Sequence, residues 1–172
     1  TLTVQNIQGS SSSSNTINVA SGHKITGAAG SIAAPGQVLQ VVQQQSNTVF
    51  STTSTSYVDT GFAASITPKF SSSKIYVIAG LNIYNNATNG VSSTTLYRGG
   101  SRISDSATYG HAYGYSNAGA HVHHHTFTYL DSPNTTSSTE YKIYISCVTN
   151  GGTLKLCVNN SSSTLTLMEI AQ

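Results

Sequence analysis

Between Ser56 and Tyr84 the chain carries two runs of mixed hydrophobic and polar residues joined by Pro68-Lys69-Phe70-Ser71-Ser72-Ser73. In the second run, Ile75, Val77, Ala79, Leu81 and Ile83 recur at the period of two that a half-buried strand requires. The opposite face, Tyr76, Ile78, Gly80, Asn82 and Tyr84, is apolar at one end and polar at the other. A strand with apolar residues on both faces belongs in the middle of a sandwich, so Lys74 to Tyr84 is predicted to be the central core strand. From Gln37 onward the pattern predicts further strands at Val38 to Gln44, Thr48 to Thr53, Ser56 to Thr67, Ser92 to Arg98, His121 to Leu130, Glu140 to Thr149, Leu154 to Asn159 and Thr164 to Ile170. Turn residues separate most of them, among them Asn89-Gly90, Gly99-Gly100, Asp131-Ser132-Pro133-Asn134, Asn150-Gly151-Gly152 and Asn159-Asn160-Ser161. Eight or nine short strands without intervening helices predict an all-β antiparallel sandwich, most simply a jelly roll. Residues 101 to 119, rich in Gly, Ala, Ser and Tyr, read as one long irregular loop.

Residues 1 to 36 have a different texture. Leu2, Val4, Ile7, Ile17, Val19, Ile25 and Ile32 are single apolar residues among Ser, Asn, Gly and Ala, and Ser10 to Ser14 are all serine. Such isolated anchors cannot close a core within one chain. Either this is a flexible polar leader, or it is a short extended fibrous segment in which several chains pool their thin apolar stripes. Ala34-Pro35-Gly36 marks the boundary to a head at 37 to 172. The alternating Leu2 and Val4, with Ile7, make Thr1 to Gly9 the expected attachment segment, able to add to a partner's sheet edge.

Composition narrows the function. Of 172 residues only 7% are charged, against roughly 25% in ordinary soluble domains, and Ser, Thr, Asn, Gln and Gly supply the polarity instead. Net charge is +2 with scattered cations, so no basic patch for nucleic acid is present. No run of eighteen apolar residues exists to span a membrane as a helix, and Thr1 to Gln5 does not read as a secretory signal.

Several stretches resemble a family of small virion proteins of tailed phages, especially those of marine cyanobacteria, described as tail-fibre or virion structural proteins. They are P-G-Q-V-L-Q-V-V-Q at 35 to 43, S-Y-V-D-T-G-F at 56 to 62, I-T-P-K-F-S-S-S-K-I at 66 to 75, L-Y-R-G-G at 96 to 100, Y-L-D-S-P-N-T-T-S-S-T-E-Y at 129 to 141 and S-T-L-T-L-M-E-I at 163 to 170. T-I-N-V-A-S-G-H-K-I at 16 to 25 is similar to the fibre-like segment that precedes the head there. The resemblance covers nearly the whole chain, and its motifs are structural. It implies a homotrimer whose head is similar to the jelly rolls of tumour necrosis factor and the collagen-stalked complement head. It also implies a non-enzymatic role as fibre, knob or decoration in a virion assembled in the host cytoplasm, with other virion proteins gripped by the N-terminal segment. Three-fold association would also cover the outer face of the central strand. The alternative is a cellular secreted lectin-like or complement-head-like binding module.

Candidate chemistry is sparse. His121, His123 and His125 fall on one face of a predicted strand, about 7 Å apart along it. They are either three imidazoles of a structural wall or interface, with no cofactor, or ligands of a transition metal, from one chain or around a three-fold axis. Tyr109, His111, Tyr113 and Tyr115 lie in the long loop, where rigid aromatic rings with polar tips suit contact with a host surface glycan or packing against a neighbouring subunit. Five acidic residues, Asp59, Asp105, Asp131, Glu140 and Glu169, offer no motif for paired-carboxylate hydrolysis, and Asp59 and Asp131 read as turn residues. Cys147 and Cys157 flank a predicted hairpin turn at 150 to 153 and face each other if its loop has three residues; cytoplasmic assembly favours free buried thiols.

Overall fold

The structure is a computed structural model that describes residues 19–27, 32–103, 108–149 and 152–172. The chain divides into two units, Thr1–Ile32 and Ala33–Gln172, each described by itself. In the first, the described residues form a turn at Ser21-Gly22, closed by the His23 N–H donating to the Ala20 carbonyl at 3.0 Å, and are exposed. The expected attachment residues Leu2, Val4 and Ile7 lie outside the described residues.

The second unit consists of two antiparallel sheets packed face to face. One holds β1 (Val38–Ser46), β2 (Phe50–Thr52), β4 (Lys74–Asn85), β8 (His121–Asp131), β10 (Leu154–Leu156) and β11 (Ser163–Ile170). The other holds β3 (Val58–Ile66), β5 (Gly90–Arg98), β6 (Ser101–Arg102), β7 (Ala112–Ser116) and β9 (Thr139–Cys147). The first sheet runs β1-β11-β4-β8, with β10 and then β2 continuing beyond β11 on the same side of β4; the second runs β3-β9-β5, with β6 and β7 both on β5.

The expected central strand is central. β4 pairs with β8 along eleven residues on one side and with β11 and β10 on the other. Its inward residues Ile75, Val77, Ala79, Leu81 and Ile83 have no exposed surface and meet Leu96, Ile143, Ile145, Leu165 and Leu167, also fully buried. Each valine, leucine or isoleucine among them contributes about 1.5–3 kcal/mol of burial free energy. Asn89, Asn134, Asn159 and Asn160 adopt left-handed backbone angles, the conformation asparagine tolerates best after glycine, and so close the turns their positions predict. Pro35-Gly36 also turns the chain, with the Gln37 N–H donating to the Ala34 carbonyl at 2.9 Å.

Three expectations need correction. The supposed loop from 101 to 119 contains two strands, β6 and β7, both paired with β5. The turn-like Asp59-Thr60-Gly61 is a bulge within β3, where Gly61 at φ 74° lets its N–H donate to Asp59 Oδ1 at 2.8 Å. Cys147 and Cys157 do not face each other across a hairpin: β9 pairs with β3 and β5, whereas β10 pairs with β4 and β2 in the other sheet.

Candidate functional site

Three places bring chemistry-bearing side chains together. The first is the inward face of β8, where alternation points His121, His123 and His125 towards β5 and β7. Their rings form a stack, with centroids 4.9 Å apart for His121 and His123 and 4.8 Å apart for His123 and His125. The hydroxyl of Ser92 lies 2.7 Å from His123 Nε2 and 3.4 Å from His125 Nε2, and that of Thr94 lies 3.1 Å from His125 Nδ1. His121 Nδ1 lies 2.9 Å from the Gly119 carbonyl, so that nitrogen donates, which leaves His121 Nε2 buried without a partner. A side chain at Gly114 of β7 would collide with the His123 ring, its Cβ falling 2.4 Å from Nε2.

The stack favours the neutral imidazole at His123 and His125. Burial first, and repulsion from His123 second, lower the pKa of His125 to about 3; burial likewise lowers that of His123, followed by repulsion from His121 and His124. Parallel rings aim their nitrogen lone pairs in parallel planes rather than at one point. Among the described residues no group of three His, Cys, Asp or Glu is placed to hold a metal ion. The expected ligand set is therefore brought together by one chain without being made convergent.

The second place is the outer surface of the β3-β9-β5 sheet. Tyr97 and Tyr144 stack with centroids 3.7 Å apart. Tyr57 donates its hydroxyl to the Thr108 carbonyl at 3.1 Å, so at its 2.6 Å contact with Ser93 the serine hydroxyl is the donor. The Arg102 guanidinium lies 5.6 Å from the Tyr57 ring centre. Tyr109 packs against Tyr113 at 4.7 Å, and Tyr109, Tyr113 and Tyr115 are 44%, 60% and 58% exposed. Of the expected binding group, Tyr109 and Tyr113 thus come together and Tyr115 follows one period along β7. His111 does not join them. Its Nδ1 accepts from the Leu96 N–H at 3.2 Å and its ring stacks on Phe127 of β8, turning it towards the sandwich interior. Sequence reading missed Tyr57, Tyr97 and Tyr144; alternation within β5 and β9 is the signal that puts Tyr97 and Tyr144 on this surface, and Tyr57 lies one residue before β3.

The third place is the outer surface of the first sheet. Strand register places Val41, Met168, Tyr76 and Leu130 side by side across β1, β11, β4 and β8. Val41 is 54% and Leu130 49% exposed, and Ile78 extends the strip by one step along β4. Among the described residues of the second unit, no element covers this row.

The acids have structural partners. Asp131 is buried; Arg98 Nη1 reaches both its oxygens at 2.6 Å and the Tyr141 hydroxyl donates to it at 2.6 Å. Burial pushes the Tyr141 phenol far up, and the hydrogen bond to Asp131 adds to that. Asp131 is thus a core ion-pair partner, not the turn cap expected. Glu169 is also buried; burial favours its neutral form, but bonds from Gln40 at 2.6 Å and the Lys69 N–H at 2.7 Å outweigh it, so its pKa lies below the usual carboxylate range. Lys142 bridges Asp59 and Glu140 at 3.3 Å each. Asp105 lies outside the described residues. The two cysteines are free and buried, with Cys147 Sγ on the Thr149 carbonyl and Cys157 Sγ 3.1 Å from Ser163 Oγ. Lys155 shares no face with Cys157, which has φ 59°; its ammonium lies 5.7 Å from the Tyr84 ring centre instead. No protein-family model matches the chain, and comparison with curated proteins gives no match.

Proposed function

We propose that the chain is a non-enzymatic structural protein of a phage particle, a homotrimer with a jelly-roll head. It serves as fibre, knob or decoration and meets the host surface through the tyrosines of β7 and the loop before it. The observation that carries this reading is the uncovered row Val41, Met168, Tyr76 and Leu130. An apolar strip across four strands of a polar, charge-poor protein is stabilised by burial against copies of itself, and three-fold packing buries it without leaving an open end.

Other features support the parts of this reading. Strands distant in sequence lie side by side, β1 with β11 and β5 with β9, as the long connections of a jelly roll require. Every described carboxylate has a structural partner, which favours a non-catalytic role. Two buried thiols suit assembly in a reducing host cytoplasm. The sequence motifs supply the virion, and the N-terminal segment with Leu2, Val4 and Ile7 is the proposed grip on other virion proteins.

Light scattering on the full untagged chain tests the assembly. The expected mass is three times 17.9 kDa, about 54 kDa, and Leu130→Asp is expected to yield folded monomer. A wild-type mass of one chain at micromolar concentration would overturn the trimer. Mass spectrometry of purified particles tests the virion assignment, and absence of the chain from them would refute it.

A further inference from the structure

The outer surface of the β3-β9-β5 sheet holds a cleft of about 460 Å³ lined by Thr55, Ser56, Tyr57, Tyr97, Thr108, Ser146 and Val148. We infer that this cleft, flanked by the exposed Tyr109 and Tyr113, is a binding site for an uncharged oligosaccharide. The inference concerns only the host-contact part of the proposed function and rests on that part.

The wall chemistry selects the ligand class. Among the described lining residues two are tyrosines, four carry aliphatic hydroxyls and none is charged. A pyranose ring presents one face of C–H groups and a rim of hydroxyls, so it matches a wall of aromatic faces interspersed with serine and threonine. Both rings are fixed before any ligand arrives. Tyr144 covers one face of Tyr97 at 3.7 Å, and Tyr57 is held at its hydroxyl by Ser93 and the Thr108 carbonyl. Gly110, in left-handed conformation at φ 57°, allows the loop to close on Tyr57; a Cβ there would come within 2.7 Å of the Tyr57 hydroxyl. Preorganised rings lose little entropy on binding.

Other ligand classes fit less well. A phosphate or acidic polymer needs cations in the wall, and the neighbouring guanidinium of Arg102 is placed over the Tyr57 ring. A lipid chain needs an enclosed apolar channel, whereas hydroxyls make up most of this lining. The polar lining also leaves some of its hydroxyls to the ligand: Ser146 donates to the Thr55 carbonyl, but Ser56 engages its neighbours through its backbone. Beyond Thr108 the line of rings continues through Tyr109 to Tyr113, which gives a second sugar unit a further platform.

The test uses saturation-transfer NMR and calorimetry on the full untagged chain, with maltohexaose, cellohexaose and chitohexaose as neutral probes and polygalacturonate as the charged comparison. At least one neutral probe is expected to bind in the millimolar range or tighter, with transfer strongest to ring C–H protons. Tyr97→Ala is expected to weaken that binding at least tenfold. Because that variant also removes the Tyr144 stack, Ser56→Trp is the second probe: it fills the cleft from an exposed position and is expected to abolish binding with the fold intact. No binding of any neutral probe, binding of polygalacturonate alone, or neutral binding that survives Ser56→Trp would overturn the inference. A trimer that ignores these sugars refutes the cleft alone, and a monomer that binds them refutes the trimer alone.

Discussion

Acid should loosen the sandwich, with His125 carrying most of the effect above pH 5. His125 is 3% exposed, and its described polar contacts are the hydroxyls of Ser92 and Thr94, with His123 stacked beside it and no carboxylate among them. In the folded chain its pKa falls from the ordinary 6.5 to about 3, chiefly through burial. A histidine with a depressed folded pKa stays neutral in the fold, while the unfolded chain takes up a proton below pH 6.5. The unfolded state is therefore favoured as pH falls from 6.5 towards 3, and the stability is fully present only above that window. Between pH 8 and pH 5 the linkage amounts to about 2 kcal/mol from His125 alone. His123 acts in the same direction. Glu169 also destabilises in acid because its folded pKa is depressed, but its ordinary value of 4.5 places most of that loss below pH 5. With a urea m-value of about 2 kcal/mol per molar, the unfolding midpoint should drop by about 1 M. Urea titrations at pH 8, 6.5 and 5, at one fixed protein concentration, read this directly. His125→Gln should flatten the dependence by about that amount. Equal midpoints at pH 8 and pH 5, or a dependence unchanged in His125→Gln, would refute the buried neutral stack.

Asp131→Asn removes the anionic partner of Arg98 and Tyr141 and should cost about 2–3 kcal/mol in urea unfolding; Arg98 keeps 32% of its side chain in solvent, so the loss stays below that of a fully buried pair. Gly114→Ala places a methyl group against the His123 ring and should cost about 1–3 kcal/mol, measured as a lowered melting temperature, while the exposed Tyr113 and Tyr115 stay as they are. Neither Cys147 nor Cys157 should react with a thiol reagent in the native protein, and both should react in urea; burial raises the Cys147 pKa, so fast native labelling at neutral pH would contradict its placement.

The regular strands were legible because their inward residues are large. Ile75 to Ile83 in β4 and Leu165 and Leu167 in β11 alternate as a buried face must. β7 was hidden for the opposite reason. Its inward positions are Ala112, Gly114 and Ser116 and its outward ones Tyr113 and Tyr115, since the histidine stack across from it leaves room only for small residues. That inversion reads as a polar loop. The predicted cysteine hairpin failed because alternation within Leu154-Lys155-Leu156 is the same whichever sheet the strand joins. Asp131 reads as a turn residue from its Ser-Pro neighbours, while its partner Arg98 lies 33 residues away. Likewise, His111 belonged to a run of tyrosines in sequence, and only the register of β5 and β8 turns it towards Phe127.

The first and last strands of the second unit are antiparallel neighbours, Val38 opposite Ile170 and Ser46 opposite Ser163, and the Ala171 N–H donates to Gln37 while the Gly36 N–H donates to Ala171. The unit therefore begins and ends at one pole. A pull between its two ends would load these hydrogen bonds one after another, as a zipper opens, rather than all at once in shear. A tether at either end, in contrast, carries no tension through the sandwich. The turn at Asn86 to Asn89 stands at the opposite pole, so joining Gln172 to Ala33 and reopening the chain there would give a permuted protein with the same strands in register.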